Sequence, residues 1–224
     1  MISVAVDGPS GAGKSSISKE VAKRLKFLHI DTGAMYRAVA YYAFENNIQS
    51  EAIPTYLKDI NIEIAFCGNN QIVKLNGEDV SYKIRTPGIS SLASQVSKIK
   101  EVRDFLLLLQ RNFAKTDNVI MDGRDIGTVV LPEATVKIYL TASNQSRAQR
   151  RHLQLKKEGI NCEYSQILNG IIDRDREDSS RELSPLKKAH DAIYLDTTDL
   201  SFEESVNKII EIIQVATRQE SPAK

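Results

Sequence analysis

A glycine-rich octapeptide, Gly8-Pro9-Ser10-Gly11-Ala12-Gly13-Lys14-Ser15, lies directly between the apolar run Ile2-Ser3-Val4-Ala5-Val6 and a segment of helical periodicity. It fits G-x-x-x-x-G-K-[ST], and strand, loop, helix is the context a phosphate-binding P-loop requires. Glycines let the backbone curl so that several N–H groups face one point. The helix behind the loop adds unpaired N-terminal donors and the positive end of its dipole. The loop, with Ser16 next to it, is expected at the phosphates of a nucleoside triphosphate. Lys14 can reach the β- and γ-phosphates, and the Ser15 hydroxyl can ligate a Mg²⁺ that arrives with the nucleotide.

The rest of the chain continues the pattern that this start sets. Short apolar runs at 27–30, 118–121, 136–140 and 192–195 alternate with helical segments at 14–26, 34–46, 89–115 (one or two helices) and a last helix opened by Ser201-x-x-Glu204, a capping box. Strands alternating with helices predict an α/β fold, a five-stranded parallel sheet with helices on both faces. Residues 60–82 break the pattern. Ile60, Ile62, Ile64 and Phe66 alternate with polar residues, Gly68-Asn69-Asn70 is a turn signal, and Asn76-Gly77 is a strong two-residue hairpin signal. A small antiparallel β insert is expected there. The core is then 1–34 plus 116–224, with 35–115 as a second region, and the tail from residue 219 is expected to fray.

Composition narrows the partners. Thirty basic and 29 acidic residues leave a net charge of +1, so no global field points to nucleic acid or a membrane. Cys67 and Cys162 match no metal or redox spacing and suit a reducing cytosol as free thiols. No export signal or membrane span is read, and a cytoplasmic monomer is the expectation. The histidines show no metal-ligand spacing.

Two features point to a second anionic ligand. Ligands of such sheets sit at the carboxyl ends of the strands, and three of those ends are chemically loaded: Asp7 with the P-loop, Asp31-Thr32-Gly33, and Asp122-Gly123-Arg124-Asp125. Six of the 13 arginines fall between residues 147 and 181. Arg147, Arg150 and Arg151 share one helix face, as do Arg174, Asp178 and Arg181. Crowded like charges are unfavourable unless an anion lies opposite, and guanidinium matches phosphate bidentately. No nucleophile–base pair is visible, and phosphoryl transfer between oxygens needs none.

With these motifs in view, the chain resembles the bacterial-type cytidylate kinases of the nucleoside monophosphate kinase group. The likeness runs from Ile2 to about Ala216. Besides the P-loop it rests on Asp31-Thr32-Gly33-Ala34-Met35-Tyr36-Arg37, Ile84-Arg85-Thr86, Ala93-Ser94-Gln95-Val96, Asp122-Gly123-Arg124-Asp125-Ile126-Gly127-Thr128-Val129-Val130, Pro132-Glu133-Ala134 and Arg147-Ala148-Gln149-Arg150-Arg151. The resemblance implies transfer of the γ-phosphate of ATP to CMP or dCMP with Mg²⁺. It implies that Arg37, Arg124 and Arg181 clamp the acceptor phosphate, that Ser94, Arg103 and Asp125 read cytosine, and that Arg174 and Asp178 touch the sugar. Thr32 stands where members often have Ser and keeps a hydroxyl for phosphate contact. Arg147, Arg150 and Arg151 belong by resemblance to a short helical lid over ATP, about 147–165. Lys14, Arg124, Arg147 and Arg151 are the implied catalytic set, with Arg150 on the ATP side. The insert falls beside the acceptor site.

Cytosine recognition also has a chemical reason. A carboxylate accepts from the exocyclic amino group while a guanidinium donates to N3 and O2. Uracil presents the opposite pattern, which leaves buried groups unpaired. A kinase for UMP or another small acceptor is the nearest alternative. A nucleotide-dependent switch is the alternative of another class, although the guanine-reading tetrapeptide Asn-Lys-x-Asp is absent.

Overall fold

Apolar runs buried on both faces are the mark of central strands in a parallel sheet, and two of them lie at the middle of this molecule. The computed structural model describes residues 1–68, 70–157 and 159–219. Its elements run β1 (Ser3–Asp7), α1 (Lys14–Leu25), β2 (Leu28–Asp31), α2 (Thr32–Glu45), α3 (Ile53–Tyr56), β3 (Ile62–Cys67), β4 (Asn70–Leu75), β5 (Glu78–Asp79), α4 (Pro87–Val96), α5 (Lys100–Thr116), β6 (Val119–Gly123), β7 (Val136–Thr141), α6 (Asn144–Lys157), α7 (Tyr164–Ser180), β8 (Ile193–Asp196) and α8 (Phe202–Gln219). The main sheet is parallel, in the order β2-β6-β1-β7-β8.

Successive side chains of a strand point to opposite faces, and β1 uses both. Val4 and Val6 pack with Ile17 and Val21 of α1 and Val206, Ile209 and Ile213 of α8. Ala5 faces the other way, into a cluster with Met35 and Ala38 of α2 and Val102 and Leu106 of α5. Val73 and Leu75 of β4 join that second cluster, so the insert is part of the core on this side. The insert is the antiparallel sheet β3-β4-β5. Asn76 and Gly77 both have positive φ, 49° and 86°, the conformation a two-residue primed turn demands.

The structure also departs from the expected bounds, for local reasons. Segment 89–115 is two helices, α4 and α5. Thr86 caps α4 by accepting from Ile89 N–H at 3.3 Å, with Pro87 in the first turn. Helix α2 starts at Thr32, two residues early, because Asp31 Oδ1 accepts from Ala34 N–H at 3.1 Å. Strand β6 extends through Gly123, so Asp122 and Gly123 pair with Val6 and Asp7 of β1. Residues Ile126–Val130 form a π-helical turn that sequence reading left without an element. Its first two N–H groups, of Ile126 and Gly127, each donate to a different oxygen of Asp7 at 2.7 Å. The capping box holds: Ser201 N–H donates to Glu204 Oε2 at 2.8 Å and Glu204 N–H to Ser201 Oγ at 3.2 Å. Asn69 of the expected turn, residue 158 of segment 147–165, and the tail beyond Gln219 lie outside the described residues. Among the described residues no helix is long and apolar enough to cross a membrane.

Candidate active site

The carboxyl ends of β1, β2 and β6 open into one cleft of about 1060 Å³. The P-loop and α1 form its floor, α2 and α4 one wall, and α6 and α7 the other.

On the P-loop side the backbone makes the site. Gly11 and Gly13 have φ of 73° and 89°, and Gly13 caps α1 in the left-handed region. A Cβ on Gly8 would lie 1.9 Å from the Leu140 carbonyl oxygen, so this glycine serves the close approach of β1 to β7. Lys14 Nζ donates to Pro9 O at 2.8 Å. Burial, reinforced by Arg124, pushes the Lys14 ammonium well below its ordinary pKa. Ser15 Oγ donates to Asp122 Oδ2 at 2.6 Å, and His29 Nε2 lies 2.6 Å from Asp122 Oδ1. Hydroxyl and carboxylate are the hard oxygen donors that suit Mg²⁺, which takes one or two protein ligands plus nucleotide phosphates. Among the described residues no group of three or more His, Cys, Asp or Glu side chains is placed to hold a metal ion. Asp122 was read only as part of a charged strand end. Its place after four strand residues, beside the P-loop strand, is the signal that could have singled it out.

The three expected lid arginines separate. Arg147 is only 2% exposed and does not line the cleft. It donates to Ala142 O at 2.9 Å and to Ser10 O at 2.7 Å, and it pairs with Asp175, which in turn accepts from Ser10 N–H at 3.2 Å. Arg147 and Asp175 thus clasp the P-loop to α6 and α7. Arg150 lines the cleft and donates to Thr197 Oγ1 at 3.1 Å; burial lowers its pKa. Arg151 also lines the cleft and donates to Gln154 Oε1 at 2.9 Å. Gly8, Pro9, Ala12 and Arg147 are the expected donor-side residues outside the lining; Ser10, Gly11, Gly13, Lys14, Ser15 and Ser16 are in it.

On the opposite side the site is made of side chains drawn from distant parts of the chain. Five guanidinium groups, of Arg37, Arg103, Arg124, Arg174 and Arg181, line this side of the cleft with three carboxylates, Asp31, Asp125 and Asp178. Asp178 joins Arg124, at 2.7 Å, to Arg181. Burial opposes its ionisation, and those two arginines hold its carboxyl below the usual range nonetheless. Arg37 pairs with Asp31 at 2.7 Å. Arg103 pairs with Asp125, donates to Ser97 O at 3.1 Å and lies 5.6 Å from the Tyr36 ring centroid. Burial pushes the Tyr36 hydroxyl up to about 12. Burial, then Arg124, pushes Arg174 down; burial and neighbouring guanidinium groups do the same to Arg181. The Nε atoms of Arg37, Arg174 and Arg181 are buried without a hydrogen-bond partner among the described residues. An anion offers the acceptors and the charge that this cluster lacks.

Ser94 lines the cleft as expected. Thr32 does too, but its one hydroxyl proton is committed to Asp122 O at 2.8 Å, joining α2 to β6. The Thr32 Oγ would crowd a Cβ at position 123 at 2.7 Å, one reason that residue is glycine. Tyr36, Ser97, Asp31 and Asp175 were not singled out for the site. Asp31 and Tyr36 stood in one quoted motif; Ser97 carries no sequence signal, because it is the fold that brings it to Arg181, which donates to Ser97 Oγ at 3.1 Å.

Comparison with known proteins agrees with this geometry. The sequence model of one family, described as cytidylate kinase, matches residues 4–215. A cytidylate kinase of Caldicellulosiruptor saccharolyticus is 51% identical over 214 residues, 94% of this chain and 95% of that protein. A cytidylate kinase of Bacillus cereus is 49% identical over 215 residues, 95% and 96% of the two chains. The structure of a gluconokinase from Sinorhizobium meliloti covers 97% of this chain and 95% of its own with a TM-score of 0.51 at 14% identity, a likeness of fold alone. Fold, cleft and kinship converge: the chain belongs to the cytidylate kinase family.

Proposed function

We infer that this protein transfers the γ-phosphate of ATP to CMP or dCMP, giving ADP and the cytidine diphosphate, the activity its family membership carries. The observation that supports an anionic acceptor in this chain is the set of five guanidinium groups, of Arg37, Arg103, Arg124, Arg174 and Arg181, that line one cleft with the P-loop; three of them have a buried Nε without a hydrogen-bond partner among the described residues.

The chemistry needs no general base. A nucleoside monophosphate carries a phosphate that is largely dianionic at neutral pH, so its oxygen can attack the γ-phosphorus directly. One P–O bond forms, the bond to the β-phosphate oxygen breaks, and ADP leaves with the electron pair. Positioning and positive charge are then what the protein supplies. In this reading the P-loop amides and Lys14 hold the β- and γ-phosphates. Polyphosphate opposite Lys14 restores the ammonium form that burial disfavours. Ser15 and Asp122 are the residues that would hold Mg²⁺. When bound, the ion supplies neutralisation of charge on the transferred group.

Arg37, Arg124 and Arg181 bind and orient the acceptor phosphate; Arg174 and Asp178 face its sugar. Asp125 and Arg103 read the cytosine edge, with Ser94 beside them. Arg150 and Arg151 close on the donor from α6. Arg147 acts as a positioning residue, through its clasp on Ser10 and Asp175. The test is ADP release with each nucleoside monophosphate offered in turn at fixed ATP and Mg²⁺. CMP and dCMP are expected to be turned over far better than UMP, AMP or GMP. A protein that prefers UMP would return the specificity to the nearest alternative.

A further inference from the structure

Strand β2 is an edge of the main sheet, yet its last residue is not left unpaired on the open side. Gln71, from β4 of the insert, lies alongside it. Asp31 N–H donates to Gln71 Oε1 at 2.7 Å, and Gln71 Nε2 donates to Asp31 O at 3.3 Å. A primary amide carries one carbonyl and one N–H₂ group, so it can stand in for the backbone of a neighbouring strand. Gln71 does this at one residue only.

That residue controls the start of the acceptor wall. Asp31 Oδ1 caps α2 at Ala34 N–H, and Asp31 Oδ2 accepts from Arg37. The fit is close, since a Cβ on Gly33 would lie 3.1 Å from Asp31 Oδ1 and 3.2 Å from an Arg37 nitrogen. The Arg37 Nε, in turn, is one of the buried atoms without a partner. From insert to ligand-facing guanidinium there is an unbroken path of direct contacts: Gln71, the Asp31 backbone, the Asp31 carboxylate, Arg37.

We propose that Gln71 is a positioning residue for Arg37, so that the β insert sets affinity for the acceptor phosphate through the Asp31 backbone. The proposal rests on the reading of Arg37 as an acceptor-phosphate ligand. Without Gln71, the Asp31 N–H and C=O lose their partners, the end of β2 can shift, and the carboxylate no longer fixes the Arg37 guanidinium. The donor side shares none of these contacts.

The experiment is a double-mutant cycle of Gln71→Leu and Arg37→Met, read as KM for CMP, kcat at saturating CMP, and ATP affinity by calorimetry. Gln71→Leu is expected to raise KM for CMP about 5- to 10-fold, the usual consequence of losing one or two partly buried hydrogen bonds. The kcat at saturation and ATP affinity are expected to change less than about twofold. In the double variant the effect of Gln71→Leu is expected to vanish, because its route runs through Arg37. If Gln71→Leu does not fold, Gln71→Glu keeps the Oε1 acceptor and turns a carboxylate oxygen toward the Asp31 carbonyl, and a rise in the same direction is expected. Three results separate the possibilities. Arg37→Met with unchanged KM for CMP removes the reading of Arg37 and the proposal with it. Arg37→Met with raised KM, beside Gln71 variants that lower only the melting temperature, leaves that reading standing and overturns the proposal. Additive effects in the double variant also overturn it.

Discussion

The two sides of the cleft are built differently for the two phosphate groups that we propose they hold. On the P-loop side the lining comes from one short stretch, Ser10, Gly11, Gly13, Lys14, Ser15 and Ser16, with the lysine among them. On the acceptor side, residues from α2, α4, α5, β6 and α7 meet only in the folded chain. The donor loop is braced from behind by Arg147 and Asp175, whose charges are mutually satisfied. The opposite wall holds five guanidinium groups against three carboxylates, and among the described residues three of their Nε atoms have no partner. A backbone cradle binds any polyphosphate and carries little specificity. A side-chain wall can refuse the wrong acceptor, because unpaired buried groups are costly.

The sharpest way to break this contrast is Lys14→Ala. In the proposed mechanism the loop keeps its amides but loses the lysine charge over the β- and γ-phosphates. The rate is expected to fall by about 10²–10³ or more, by analogy with loss of one preorganised donor. Because Lys14 is buried, with its ammonium disfavoured, the melting temperature is expected to stay level or rise. Near wild-type turnover would remove Lys14 from the mechanism.

Asp125→Asn tests the acceptor side. If Asp125 accepts from the cytosine amino group, kcat/KM for CMP is expected to drop about 10²-fold and the preference over UMP to collapse. The ion pair with Arg103 offers a different outcome. If Asp125 serves only to hold Arg103, CMP and UMP fall by the same factor, and cytosine reading passes to Arg103 and Ser94.

Asp7 ties the two sides together, from the end of β1 to the turn that follows Asp125. Burial raises its carboxyl from 3.8 to about 6, against the pull of the Gly127 and Ile126 N–H groups. An acid held above its unfolded value binds its proton more tightly in the native state. Its contribution to stability therefore declines as pH rises from about 4 to about 6, and is level beyond that. The effect is at most about 3 kcal/mol. Asp31 and Asp178 are held low instead, so their contribution is present above about pH 4 and is lost only in more acid solution. Urea unfolding at several pH values is expected to show the decline in the wild type and its loss in Asp7→Asn. Equal profiles would mean that Asp7 titrates normally.

The smallest expected effect is local. Closure over ATP excludes water that would compete as acceptor. Since Arg147 is locked on the P-loop, added protection from hydrogen exchange with ATP and CMP is expected from Arg151 toward residue 165 and not in the first turn of α6. Uniform protection of 144–165 would make the whole of α6 part of the moving unit.

These contrasts explain what could be read in advance. The P-loop, the parallel sheet, the insert and the capping box are local or periodic signals, each written in neighbouring residues. Pairs such as Ser15–Asp122, Arg147–Asp175 and Arg103–Asp125 join residues far apart in the chain, and their partners could not be chosen from spacing alone. Three arginines on one helix face promised three ligand-facing groups. Tertiary packing turned Arg147 inward, because a carboxylate and the Ser10 carbonyl lay there to satisfy it.

The amino-acid order by itself therefore determined the P-loop, since a loop of glycines between a buried strand and a helix has few other conformations open to it. It also showed a second crowd of arginines on two helix faces, which is the reason to expect an anion there. Only the tertiary structure decided which carboxylate each guanidinium group meets and which guanidinium groups line the cleft. That division depends on burial and on partners brought together by the sheet order, and neither is a property of any short stretch of sequence.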